Sequence, residues 1–265
     1  MTAAAANGAS PVAIANQDGA SPFLFACEHA SNRLPPEFGT LGLAPGELER
    51  HIAWDPGALA VAAGLSRRLD AALVASTISR LVVDCNRPLD APDLISQLSE
   101  TTVIPGNNGL SADQRRRRIN LAWRPFHDAL GRVIEMRLRE GRTTCLVTIH
   151  SFTPVWKGKA RPWHVGIIHD DDERISASLL AGLRAGGDIV VGDNEPYAPS
   201  DRVYFTLEHQ ARPRGLPCAM IEIRNDLIAG AAGQQEWSER MSRLLAQAGA
   251  DMLTPPRQAG QVRHA

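Results

Sequence analysis

Apolar residues in this chain fall into short dense runs, and between them apolar positions recur every three or four residues. Residues 23–27, 72–76, 81–83, 144–152, 165–168, 189–191 and 218–224 read as strands. Most are apolar on both faces, as strands of a covered parallel sheet are. The spacing predicts helices over 58–69, about 112–140, 172–184, around Phe205, Leu207 and His209, and over 234–250. Asp55-Pro56-Gly57 opens the first of them, with Asp as N-cap and Pro at the first helical position. Pro125 marks a kink or a break into two helices. Residues 88–110, rich in Pro, Asn, Gly and Ser, read as a long loop beside a site. Residues 1–20 lack periodicity and read as a leader, and 253–265 as a polar tail.

Strands alternating with helices imply one α/β domain over 21–252, with a mostly parallel mixed sheet in an α/β/α sandwich. Neither a repeat nor a composition break suggests a second domain. A hydrophobic fraction of 44% supports a sizeable core, and a net charge of -1 argues against a nucleic-acid or membrane-surface protein. The arginine run at 115–118 reads as a solvated helix face. No stretch reaches membrane-span length, and the start lacks the basic and apolar regions of a signal peptide. Cys27, Cys85, Cys145 and Cys218 are widely spaced in apolar runs and form no Cys-x-x-Cys pair. They fit free thiols in a reducing cytoplasm better than disulfides or structural zinc.

Chemistry collects where strands end. The run to Ile149 delivers His150 and Ser151, and the first strand delivers Glu28 and His29. In open α/β sheets this edge is where ligands bind. Two histidines and a carboxylate are a common set for a catalytic zinc, and Glu28 and Asp55 are the candidates for the carboxylate. For Asp55 the plain helix cap is the competing reading. Glu222 interrupts an apolar strand; it is either a general base beside a metal or the partner of Arg224, two residues on and on the same face. Asn86-Arg87 offers a clamp for a substrate carboxylate, unless Arg87 simply pairs with Asp84 or Asp90. Tyr197 in a loop, with His127, His164 and His209, are further candidates, whereas His51 and His264 read as ordinary surface residues.

Taken in order, these strand ends resemble the zinc carboxypeptidase plan. His29-Ala-Ser-Asn32, Asp84-Cys-Asn86-Arg87, His150-Ser151 and Glu222-Ile-Arg224-Asn225 parallel its His-x-x-Glu, Asp-x-Asn-Arg, His-Ser and Glu-Leu-Arg-Asp segments. Asn32 departs from it, standing where those enzymes have a glutamate ligand. Over about 22–248 the chain is similar to the N-formylglutamate amidohydrolase family, a branch of that fold. The matching stretches include Cys27 to Asn32, His51-Ile-Ala-Trp54-Asp55-Pro-Gly57, Ser79 to Pro88, Trp123 to His127, Arg161-Pro-Trp163-His164-Val-Gly166, Gly192 to Tyr197 and Ile221 to Leu227. The resemblance implies a zinc-exopeptidase-like (phosphorylase/hydrolase-like) fold and hydrolysis of an N-formyl amide on an acidic amino acid. It implies a zinc held by His29, His150 and a carboxylate, Glu222 as general base, and Arg80 or Arg124 as donor to the oxyanion. Asn86 and Arg87, with Ser151, Tyr197 and Arg224, would contact a small carboxylate-bearing substrate. The chain would act as a monomer or small homo-oligomer. Two other readings share the same residues: a zinc carboxypeptidase or amidase for a small or cell-wall peptide, and a metal- or ligand-binding module without catalysis.

Overall fold

The computed structural model describes residues 10–253. In chain order the strands are β1 (Val12–Ala15), β2 (Phe23–Cys27), β3 (Ala72–Ser76), β4 (Leu98–Ser99), β5 (Thr102–Val103), β6 (Cys145–Phe152), β7 (Val155–Trp156), β8 (Lys159–Ala160), β9 (Val165–Ile168), β10 (Val191–Asp193) and β11 (Cys218–Arg224). The α-helices are α1 (Ala58–Leu69), α2 (Ala112–Arg118), α3 (Arg124–Arg139), α4 (Ser176–Ala185), α5 (Phe205–Gln210) and α6 (Ala231–Leu253). Seven strands form one sheet in the order β1-β3-β2-β6-β11-β9-β10. The centre, β3-β2-β6-β11, is parallel; β1 and β9 run antiparallel to their inner neighbours, and β10 is parallel to β9.

Side chains alternate between two cores. Phe25, Val147, Ile149 and Ile221 pack under α1, α4 and α6, where Leu65, Leu179 and Trp237 meet them. Leu24, Leu146 and Met220 pack under α3 and α5 against Phe126, Leu130 and Leu207. The sheet therefore lies between two helical layers, which is why its central strands are apolar throughout. Smaller clusters underlie the long connections, one around Val82, Leu94 and Trp123 and one around Leu43, Ala53 and Ile104. The four cysteines are buried and free, and no helix among the described residues is long and apolar enough to cross a membrane.

Four local readings need correction. Residues 81–83 form a buried turn instead of a strand, with Val82 N–H donating to Ser79 O at 3.0 Å; the apolar run packs against Leu94 and Trp123. Within the expected leader, Val12–Ala15 pairs with β3, and the buried Arg137 guanidinium ties the following segment down by donating to the Gly19 and Ser21 carbonyls. Residues 1–9 and the expected tail from 254, including His264, lie outside the described residues. The strand expected at 189–191 starts only at Val191, and the helix expected from 172 starts at Ser176. At Pro125 the long helix changes type. A π-helical turn, Ile119–Trp123, joins α2 to α3, accommodating a proline that supplies no N–H.

Candidate metal centre and its pocket

β2 and β6 are adjacent, and their onward connections leave for opposite sides of the sheet, β2 through α1 to β3 and β6 to β9. Such a switch point leaves a crevice at the carboxyl ends of the strands. His29 follows β2, and His150 is the sixth residue of β6, two short of its end. The rings meet edge to face at 5.0 Å. Asp55 reaches them from the turn before α1. Its Oδ2 lies 3.3 Å from His29 Nδ1 and 2.8 Å from His150 Nδ1. Gly57 makes this turn possible, because its φ of 82° is left-handed and a Cβ there would collide with the Ile228 carbonyl. Asp55 does not cap α1; the helix takes Gly57 in that position with no side-chain cap bond.

Each imidazole is held from behind by a second carboxylate. Asp84 Oδ1 hydrogen-bonds His29 Nε2 at 2.7 Å, whereas Glu28 Oε2 lies 3.1 Å from His150 Nε2 as an ion-pair contact without hydrogen-bond geometry. Glu28 is thus beyond the ring, on the nitrogen opposite Asp55, which corrects its place among the candidate ligands. Arg80 donates to Asp84 Oδ2 at 2.7 Å and to Asp55 Oδ1 at 3.5 Å. All of these carboxylates and imidazoles are buried. Burial alone would favour their neutral forms, but the mutual attraction wins. Asp55 and Asp84 are held well below the usual carboxylate range by His29 and Arg80, and both imidazoles are raised by the surrounding carboxylates.

His29, Asp55 and His150 each present a ligand atom, all within 4.8 Å of one another. With Nε2–H donated to Asp84, a neutral His29 has its lone pair on Nδ1, and a neutral His150 protonated on the Nε2 that faces Glu28 has its own there too. Two such lone pairs would face one electron-rich Asp55 oxygen. The arrangement needs positive charge between them, supplied by extra protons or by a cation. The donor set, two nitrogens and a carboxylate with carboxylates behind, suits a catalytic divalent metal.

Glu222 lies beside His150 in register on the neighbouring parallel strand, on the same face of the sheet. Burial, opposed by His150 and reinforced by Asp55, pushes its carboxyl up to about 7. Among the described residues its Oε2 has no hydrogen-bond partner. Arg224 does not pair with it; that guanidinium turns to Asp226 at 2.8 Å and lies away from the cavity.

A cavity of about 280 Å³ opens over this cluster. Arg80, Asn86, Arg87, Ser151 and Tyr197 line it as the sequence suggests, but several are committed elsewhere. Asn86 donates its amide to the Val203 carbonyl and accepts from Thr206 N–H at 3.0 Å, so it anchors the approach to α5. Arg87 pairs with Asp93, at 2.8 Å, and not with Asp84 or Asp90. Ser151 Oγ donates to the Pro56 carbonyl at 2.9 Å, fixing the Asp55 turn. Tyr197 accepts from Arg161 Nη1 at 3.1 Å; its loop sits close because Gly166 and Gly192 leave room for the Glu195 carbonyl. Arg124 is exposed at the start of α3 and does not line the cavity, so it drops out as an oxyanion donor. His127, His164 and His209 also lie outside the cavity wall: His127 bonds the Cys85 carbonyl, His164 accepts from Val190 N–H, and His209 stacks on Phe205.

His51 is the residue that the sequence reading passed over. Its Nε2 lies 2.6 Å from the Ser151 carbonyl and 3.3 Å from Asp55 Oδ1, and it lines the cavity. Its position four residues before Asp55 was the available signal. Asn32, at the position where carboxypeptidases carry a glutamate, donates to the Leu48 carbonyl at 3.0 Å; Asp55 is the carboxylate that meets both histidines. Two small hairpins, β4–β5 and β7–β8, complete the rim with Leu98, Glu100, Trp156 and Lys157.

Comparisons with known proteins bear on the family and the fold. The family model described as N-formylglutamate amidohydrolase matches residues 21–229. The chain is 38% identical over 136 residues to an N-formylglutamate deformylase of Pseudomonas putida, an alignment covering 45% of this chain and 51% of that protein. It thus spans about half the length of that curated relative. A crystal structure of a gene product from Agrobacterium tumefaciens superposes with a TM-score of 0.90 at 43% identity, covering 92% of this chain and 96% of the other. The crystal structure of an N-formylglutamate amidohydrolase from Ralstonia eutropha shares the fold, with a TM-score of 0.66 at 21% identity over 91% of this chain and 98% of that one.

Proposed function

This chain belongs to the N-formylglutamate amidohydrolase family, and from that premise we propose that it is a zinc-dependent hydrolase of N-formyl-L-glutamate or a closely related N-acyl amino acid. The observation that carries the proposal is Glu222, a buried carboxylate with one oxygen unpartnered among the described residues, in register beside His150 and lining the cavity with His29 and Asp55. A module that only bound metal would gain nothing from burying that group.

Zinc bound by His29, His150 and Asp55 would supply a Lewis acid that activates water and polarises the formyl carbonyl. The protein residues do the rest. Glu222 takes a proton from the attacking water, and its raised basicity suits that transfer near neutral pH. It then delivers the proton to the amide nitrogen as the C–N bond breaks, releasing formate and the free amino acid. Arg80, held rigid by Asp84 and Asp55, supplies fixed positive charge as negative charge grows on the carbonyl oxygen. Arg87 in the cavity wall takes the α-carboxylate. The small cavity suits an acyl amino acid better than a peptide.

Chelation should abolish hydrolysis of N-formyl-L-glutamate, and zinc should restore it. Turnover that persists in metal-free protein would rule out the metal role. Glu222→Gln should lower kcat by about 10²- to 10⁴-fold, the usual range for a lost general base, while elemental analysis finds the metal still bound. Unchanged turnover in that variant would remove Glu222 from the chemistry.

A further inference from the structure

The chain has 28 basic residues, yet only two are lysines, Lys157 and Lys159. Both sit on the β7–β8 hairpin, and Lys157 lines the cavity. The turn is made by Lys157 and Gly158, at φ of 48° and 76°. Two successive positive φ values define the tight hairpin turn that favours Asn-Gly, and a lysine at its first position is a conformational cost. Outliers of this kind persist where the surroundings over-determine them. Here Glu100 does so from the facing hairpin tip, itself at φ 55°. Its Oε1 accepts from Lys157 N–H at 3.2 Å, and its Oε2 pairs with Arg50 at 3.4 Å. The base of the hairpin is fixed as well, by the buried Arg161 guanidinium against the rings of Trp156 and Tyr197.

The other cations in the cavity wall already have work. Arg80, paired with Asp84 and Asp55, stands beside the candidate metal ligands. Arg87, which spends Nε on Asp93 and Nη1 on backbone carbonyls, meets one substrate carboxylate at most. Among the described residues Lys157 has no carboxylate partner; its ammonium lies 5.9 Å from the Trp156 ring centre. A substrate with two carboxylates brings one charge more than Arg87 accounts for. Resting on the function proposed above, we propose that Lys157 is the specificity determinant that anchors the side-chain carboxylate of an acidic N-acyl amino acid, so that this hairpin selects dicarboxylate over neutral substrates.

The test compares N-formyl-L-glutamate with N-formyl-L-glutamine, which differ in that one charge. In the zinc-loaded protein, Lys157→Met should lower kcat/KM for the glutamate about 10- to 100-fold, the worth of one charge-assisted hydrogen bond, and leave the glutamine value within about twofold. Lys157→Gly removes the same charge while easing the positive φ, so it should show the same selective loss in a turn that folds at least as readily. Lys159→Met should behave as the parent. An equal loss on both substrates, or no loss on either, would overturn the assignment. Calorimetric titration of both compounds into zinc-loaded Glu222→Gln protein, with and without Lys157→Met, reads binding without turnover. Charge-selective binding that depends on Lys157, where the zinc-loaded parent protein with Glu222 intact hydrolyses neither compound, would sustain the anchor and sink the hydrolase. Turnover indifferent to Lys157 would do the reverse.

Discussion

His29 spends Nε2 on a hydrogen bond to Asp84, His150 sets its Nε2 against the Glu28 carboxylate at 3.1 Å, and both rings turn Nδ1 toward Asp55. A ring held in this way keeps its lone pair aimed, and the carboxylate increases the basicity of the nitrogen that would bind metal. The support therefore matters nearly as much as the ligand. Asp84→Asn and Glu28→Gln should each weaken zinc about 10- to 100-fold, read by competition with a chromophoric chelator. Asn32→Ala, which loses only a bond to the Leu48 carbonyl, should leave zinc affinity unchanged. Equal affinity in all three variants would reduce Asp84 and Glu28 to packing. Sequence spacing could nominate Glu28, Asp55 and His29 but could not rank the carboxylates, because rank depends on which ring nitrogen each one faces.

At the level of elements, the strands were the most legible part. β2, β3, β9 and β11 have the boundaries that their apolar runs predict, since a covered strand advertises itself on both faces. The run at 81–83 misled because three apolar residues fit a buried turn as well as a strand. β1 was missed because Val12–Ala15 is a mostly exposed edge strand with a weak pattern. The hairpins around the cavity left still less trace, being two residues per strand. One connection can be tested directly. The loop bearing Tyr197 approaches so closely that a Cβ on Gly166 would strike the Glu195 carbonyl, and backbone cannot swing aside as a long side chain would. Gly166→Ala should cost about 1–3 kcal/mol by overpacking, read from the urea midpoint, and should lower kcat/KM as Tyr197 is displaced. A variant with parental midpoint and activity would show that the loop has slack.

For the molecule as a whole, the site is assembled from β2, the turn before α1, β6 and β11, so residues up to 194 positions apart must converge. The order of motifs along the chain made that convergence readable; the topology explains it, through a switch point between β2 and β6. The same long connections bury histidines with no part in the chemistry, and one of them ties stability to pH. His127 donates from Nε2 to the Cys85 carbonyl at 2.8 Å, under Trp123 and beside Gln210. Burial, only partly offset by that bond, lowers its pKa to about 4. Since the folded value lies below the unfolded value of about 6.5, the stabilisation it gives is complete above about pH 6.5 and is lost as pH falls toward 4. The full loss is on the order of 3 kcal/mol. Gln at this position can still donate to Cys85 but cannot take up a proton, so His127→Gln should remove that slope between pH 6.5 and 4. Both proteins share every other titrating group, so the difference between their urea midpoints isolates this histidine. The gap should narrow steadily on acidification, from parent more stable at pH 7 toward variant equal or better near pH 4. A constant gap across that window would mean that His127 does not resist protonation in the folded protein.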